Sequence, residues 1–140
     1  MEEEQIHARL AERTRQEPFA RLLDMKVEEV GKGYSRVEMR FTREMENLFG
    51  MAHGGAIYSL IDEAFQTAVN SHGTLAVALN MNVTYVNSPE PGDILRAEAR
   101  EVSLTRKTGT YAIRVTDGKD RLIALCQALA YRKGEPLPFQ

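Results

Sequence analysis

The chain has 140 residues, 43% apolar and 27% charged, with a formal net charge of −2 and a pI of about 5.9, which fits one ordinary globular domain with a real core. This slightly acidic balance argues against a general nucleic-acid binder, which needs a basic surplus, but it permits a local basic patch for a phosphorylated small molecule. The lone cysteine, Cys126, excludes an internal disulfide.

The N-terminal stretch MEEEQIHARLAERTRQ lacks the apolar segment of a signal peptide, and no apolar run approaches the roughly 20 residues of a membrane span, so a cytoplasmic location is expected. Residues 2–16 read as a surface helix with a thin stripe of Ile6 and Leu10. Pro18 ends it or opens a short second helix, PFARLLD. From Met25 the period changes: Val37, Met39 and Phe41 alternate with Arg36, Glu38 and Arg40, the pattern of a half-buried strand. Gly31-Lys32-Gly33 turns one strand into the next. After a polar loop a long helix is predicted over residues 54–71, stopped by Asn70-Ser71-His72-Gly73 with Gly73 as its cap. Strands follow in ALNMNVTYV, ILRAEAREVSL, TGTYAIRVTD and RLIALCQALAYRK, with a break at residues 87–93 and a turn at Asp117-Gly118-Lys119-Asp120. The tail GEPLPFQ reads as poorly ordered. Short turns between the last strands imply antiparallel pairing, and one helix against one large antiparallel sheet is an α+β arrangement. The expected division is a helical segment over 1–24, the main domain over 25–134 and a tail over 135–140.

On the long helix, Ile57, Leu60, Ile61, Ala64, Phe65, Ala68 and Val69 cover about half the circumference and should face the sheet, with Glu63, Thr67 and Asn70 opposite. Asp62 falls at the margin beside Tyr58, Gln66 and Val69. Taken alone it is a solvated helix carboxylate or a group that meets a substrate or second subunit. The start, His53-Gly54-Gly55, is either a tight turn or an oxyanion site with the Gly54 N–H as donor, because the first helical amides lack internal partners and glycine permits close approach. Gly54 and Asp62 are eight residues apart, an axial rise of about 12 Å. If both act on one atom, they come from two copies of the helix across a two-fold axis.

The segment Asn47-Leu48-Phe49-Gly50-Met51-Ala52-His53-Gly54-Gly55, followed by Leu60-Ile61-Asp62-Glu63-Ala64, resembles the hotdog-fold acyl-CoA thioesterases of the phenylacetate-degradation (PaaI-like) group. The resemblance covers roughly residues 19–133. It implies a curved antiparallel sheet of about six strands wrapped round the long helix, dimers that form the active sites, and often homotetramers. It implies hydrolysis of acyl-CoA thioesters, aryl or medium-chain, with Asp62 as nucleophile or general base and the Gly54 amide as oxyanion donor. Asn47 would orient the thioester or the attacking water, and His53 would support the loop and the carbonyl side. One departure is at Ala78, flanked by Val77 and Leu79, near which some relatives carry a hydroxyl that assists the water; Thr74 is the nearest preceding hydroxyl here.

Thioester hydrolysis needs a nucleophile or base and donors aimed at the tetrahedral oxygen, with no metal and no cofactor beyond the coenzyme A of the substrate itself. His7, His53 and His72 do not form a ligand cluster by spacing, there is no G-x-S-x-G elbow, and Cys126 in LIALCQALA reads as a buried structural thiol. Arg106, Lys107, Thr108 and Gly109, between two strands, are either a solvated hairpin tip or a phosphate contact for coenzyme A; Asn87-Ser88-Pro89 is a weaker candidate. Leu48, Phe49, Met51, Tyr58 and Phe65 are the expected acyl-pocket lining. Two other readings compete: a non-catalytic acyl-CoA binding module on the same fold, and a hotdog dehydratase.

Overall fold

The computed structural model describes residues 2–139; Met1 and Gln140, the outermost residues of the expected terminal segments, lie outside them. Helices α1 (Glu3–Gln16) and α2 (Pro18–Leu22) precede strands β1 (Lys26–Gly31) and β2 (Tyr34–Arg40). A short 3-10 turn, Arg43–Met45, leads to α3 (Gly54–Val69), followed by β3 (Thr74–Tyr85), β4 (Ile94–Leu104), β5 (Thr108–Thr116) and β6 (Leu122–Pro136). The strands form one antiparallel sheet in the order β1-β2-β4-β5-β6-β3. Helix α3 touches every strand, so the sheet curves around it. This is the α+β hotdog arrangement expected from the sequence.

The core follows the period-2 pattern. Val37 and Met39 on β2, Leu95, Ala97 and Ala99 on β4, Tyr111, Ile113 and Val115 on β5, and Ala124, Cys126, Ala128 and Ala130 on β6 are buried on the helix side. Alanines on β4 and β6 leave room for the larger Leu60, Ile61 and Phe65 of α3. Phe65 meets Tyr111 edge-on, with ring centroids 5.6 Å apart. All seven apolar α3 residues assigned to the sheet side are buried.

Two expectations change, the end of α3 and the order of the tail. Glu63, Thr67 and Asn70, placed opposite the sheet, are buried, with α1 and the Glu17 junction covering part of that second face of α3. Thr67 and Asn70 find local partners: Thr67 Oγ1 donates to the Glu63 carbonyl (2.9 Å), and Asn70 Nδ2 donates to the Gln66 carbonyl (2.8 Å) while its Oδ1 accepts from the Ala76 amide (2.9 Å). Asn70 thereby closes α3 two residues earlier than predicted, and Gly73, at φ 85°, turns the chain into β3. The tail also differs: β6 runs to Pro136, Leu137 is buried, and Phe139 lies against the Arg13 guanidinium. Returning apolar side chains to the α1 region anchors a segment whose composition reads as loose.

Candidate active site

The start of α3 is built by its two glycines and the loop before them. His53 is the N-cap; its Nδ1 accepts from the Gly55 amide at 2.8 Å, so the proton of the neutral ring sits on Nε2. The His53 carbonyl accepts from the Ala56 amide (3.0 Å), and the His53 amide donates to the Met45 carbonyl (2.8 Å). Those bonds leave the Gly54 N–H as a helix-start donor with no protein partner among the described residues. Asn47 is fixed too: its Oδ1 accepts from the Phe49 and Met51 amides at 2.9 and 3.1 Å, which leaves Nδ2 as its unused donor.

Asn47 and Gly54 open onto one cavity of about 340 Å³, with Met51, Ile57, Tyr85 and Val86 supplying apolar wall. Tyr85, at the end of β3, was not singled out by the sequence, where it reads as one more alternating strand residue; nothing local marks it. Its hydroxyl donates to the Gly54 carbonyl at 3.1 Å, and its ring lies flat enough on Gly54 that a Cβ there would sit 3.1 Å from Tyr85 Cζ. Asn87 and Ser88 share the cavity but are engaged by the scaffold: Asn87 Nδ2 donates to the Leu122 carbonyl (2.7 Å) and Ser88 Oγ accepts from the Ala52 amide (3.2 Å). A larger hollow of about 780 Å³ lies along the outer sheet face of β3, β5 and β6 and contains none of the expected site residues.

The other expected residues fall elsewhere. Asp62 does not line the Gly54 cavity; it is exposed on the α3 margin of the single chain. The protein crowded around it, and then the charge of Glu17, raise its carboxyl above the ordinary aspartate range. Burial and then Asp62 likewise raise the Tyr58 hydroxyl, and the Cys126 thiol is raised chiefly by burial, so neither is a ready anion. Tyr58 is exposed, its hydroxyl 3.3 Å from Met81 Sδ. Leu48 and Phe49 are 87% and 76% exposed, so within one chain they enclose nothing, and Phe65, 1% exposed, is a core residue rather than pocket lining. Only Met51 of the expected lining reaches the cavity.

Arg106 and Lys107 are exposed at the β4–β5 turn without an ion pair among the described residues. Thr108 is engaged with Thr105, hydroxyl to hydroxyl at 2.8 Å, and Gly109 is buried against Tyr111, so these two shape the turn. Arg132, which the sequence did not flag, adds a third cation there, its Nη1 donating to the Thr105 carbonyl at 2.8 Å. Gly109 pairs with Ala130 and Ala130 with Ala78, so this turn stands at the start of β3, whereas Gly54 stands at its end beside Tyr85. One chain thus separates three parts: an amide-lined cavity, a raised carboxylate and a basic turn.

The family model of the thioesterase superfamily matches residues 49–124, which include His53-Gly54-Gly55 and Asp62. The chain belongs to the thioesterase superfamily. Among relatives of this thioesterase, a protein of Archaeoglobus fulgidus is 44% identical over 117 residues, covering 84% of this chain and 76% of its own. The acyl-coenzyme A thioesterase PaaI of Escherichia coli is 31% identical over 115 residues, 82% of each chain. The structure of that E. coli protein superposes with a TM-score of 0.90 at 28% identity, over 94% of this chain and 96% of its own. A Streptococcus mutans protein solved bound to acetyl CoA superposes with a TM-score of 0.77 at 26% identity, over 81% of this chain and 91% of its own. The hotdog fold and PaaI-like membership of this thioesterase follow from these matches.

Proposed function

We propose that this thioesterase hydrolyses acyl-CoA thioesters carrying an aryl or medium-chain acyl group, with Asp62 of one chain and the Gly54 amide of a second acting on the same carbonyl. The observation that carries the reading is the unpaired Gly54 N–H, which opens with Asn47 onto a cavity that Asp62 of the same chain does not line. In the proposed reaction the thioester carbonyl enters that cavity and its oxygen, as negative charge develops, accepts from the Gly54 N–H and Asn47 Nδ2. His53, by capping through Nδ1, keeps the Gly54 donor oriented. Asp62 either attacks the carbonyl carbon or takes a proton from the attacking water; in both cases the C–S bond breaks, the thiol of coenzyme A leaves and water supplies the acid's new oxygen. No separate cofactor enters this scheme.

The free edge of β3 supports the dimer. This strand of 12 residues ends the sheet with its outer edge unpaired, and Val77 and Leu79 are exposed along it. Two such edges joined antiparallel about a two-fold axis would set the start of one β3 by the end of the other. A second chain's Arg106, Lys107 and Arg132 would then approach this chain's Gly54 cavity, where Arg–phosphate and Lys–phosphate contacts can hold the coenzyme. Pairing of two dimers over the outer sheet faces, where Val102 and Leu125 are exposed, is the homotetramer proposed. No helix among the described residues is long and apolar enough to cross a membrane, and the reaction is assigned to the cytoplasm.

The test is turnover of phenylacetyl-CoA and octanoyl-CoA, followed by thiol release, for the wild type, Asp62→Asn and Asp62→Ala. Both variants should lose at least about 10²-fold in kcat with the oligomer unchanged in sedimentation. Near-full turnover by Asp62→Ala would end the assignment.

A further inference from the structure

Glu63 is 4% exposed, and its Oε2 is the buried side-chain atom that lacks any hydrogen-bond partner among the described residues. A fully charged carboxylate in that state is costly. Its Oε1 accepts from Gln66 Nε2 at 3.0 Å, and the same Nε2 donates to Glu17 Oε2 at 2.7 Å. Glu17 is the residue between α1 and α2, directly before Pro18. A short polar side chain, Ser, Thr, Asp or Asn, ordinarily caps the helix from that position. Glu17 makes no such cap and reaches across to α3 instead. Asp62 is next to Glu63 in the chain and one helical turn from Gln66, so it borders the two carboxyl groups that this one amide bridges.

The titratable groups facing this cluster are Glu17 from the α1–α2 junction, Asp62 and Tyr58 from α3, and Cys126 from β6. Among the described residues no Lys or Arg forms an ion pair with Glu17, Asp62 or Glu63. Three negative charges so arranged repel one another; a proton on Glu63 removes one of them and spares the orphaned oxygen its charge. Burial, then Glu17, then Asp62 push the Glu63 carboxyl up to about 8, which agrees with a protonated Glu63 at neutral pH.

We propose that Glu63 keeps a proton beside Glu17, the two carboxyl groups clamped by Gln66, and that this couple is a positioning device that sets the proton affinity of Asp62 in the thioesterase reaction. The proposal rests on the reading of Asp62 as the reacting carboxylate. It gives the N-terminal helices a part in the chemistry, although Glu17 lies outside the residues matched by the family model. Burial, the first cause of the raised Glu63, keeps that group protonated where Asp62 ionises, so removing the negative Glu17 makes Asp62 easier to ionise and moves the acid limb of kcat/KM to lower pH.

The test pairs ¹³C-carboxyl NMR titration of Asp62 and Glu63 with kcat/KM against pH on octanoyl-CoA, for wild type, Glu17→Gln and Glu17→Asp. In Glu17→Gln both midpoints should fall, Asp62 by about half a pH unit or more, equal to about a threefold lower proton affinity. The acid limb should move with Asp62, and Glu17→Asp should return both toward wild type. An Asp62 midpoint unchanged in Glu17→Gln overturns the proposal. A midpoint that moves while the acid limb stays overturns the positioning role, and with it the reading of Asp62 as the reacting group. Raised wild-type midpoints that fall in Glu17→Gln, in a protein that hydrolyses no acyl-CoA at all, would instead overturn the thioesterase reading of the site while the protonated Glu63 stood.

Discussion

Gly54 and Gly55 are adjacent, yet each is held to glycine by a different side chain. A Cβ on Gly54 would meet Tyr85 Cζ at 3.1 Å and its hydroxyl at 3.3 Å; one on Gly55 would meet His53 Nδ1 at 3.0 Å. Neither residue has positive φ, so the requirement is close approach rather than backbone conformation. Alanine is the better helix former by about 0.8–1 kcal/mol, so Gly54→Ala should leave Tm near the wild-type value, the propensity gain offset by the push on Tyr85. Its kcat should fall at least about tenfold, because the added methyl crowds the amide proposed as oxyanion donor. Turnover on phenylacetyl-CoA beside a thermal melt checks both; full turnover would remove Gly54 from the oxyanion role.

Helix α3 carries two different buried faces, and only one was legible in the sequence. The apolar face follows the helical period, and the six strands follow the period of two, so element order and sheet class could be read directly. Glu63, Thr67 and Asn70 were placed only as opposite the sheet, because residue type alone does not reveal that the N-terminal segment folds back over that face, nor which of their polar atoms find partners there. The same limit hid Glu17, which looks like a connector residue, and Tyr85, whose contact with Gly54 joins positions 31 apart. The His-Gly-Gly and Asp62 signals were legible because their spacing is local. Glu63 also makes a stability prediction. Its carboxyl is raised from 4.5 to about 8 by burial first and Glu17 second. The folded chain therefore holds a proton that the unfolded chain releases, and the contribution is full below about pH 4.5 and lost as pH rises through about 8. Glu63→Gln, neutral at every pH, should flatten the fall in stability across that window in urea melts and be relatively more stable than wild type at pH 9. A Glu63→Gln profile parallel to the wild type across the window would contradict a protonated Glu63.

At the scale of the whole molecule, a single chain presents the amide cavity, the Asp62 carboxylate and the basic turn in separate places. The rise of about 12 Å between Gly54 and Asp62 along one helix, with the open edge of β3, is the reason the proposed site is one that two chains share about a two-fold axis. Mixing inactive chains tests this most directly. Asp62→Ala and Gly54→Leu homo-oligomers should each be inactive on octanoyl-CoA. After the two are unfolded together and refolded at equal amounts, half the dimers carry both chains, and each of these has one site with intact Asp62 and intact Gly54. About a quarter of wild-type activity should return. No recovery, in mixtures shown by native mass spectrometry to contain the mixed dimer, would contradict a site shared between chains.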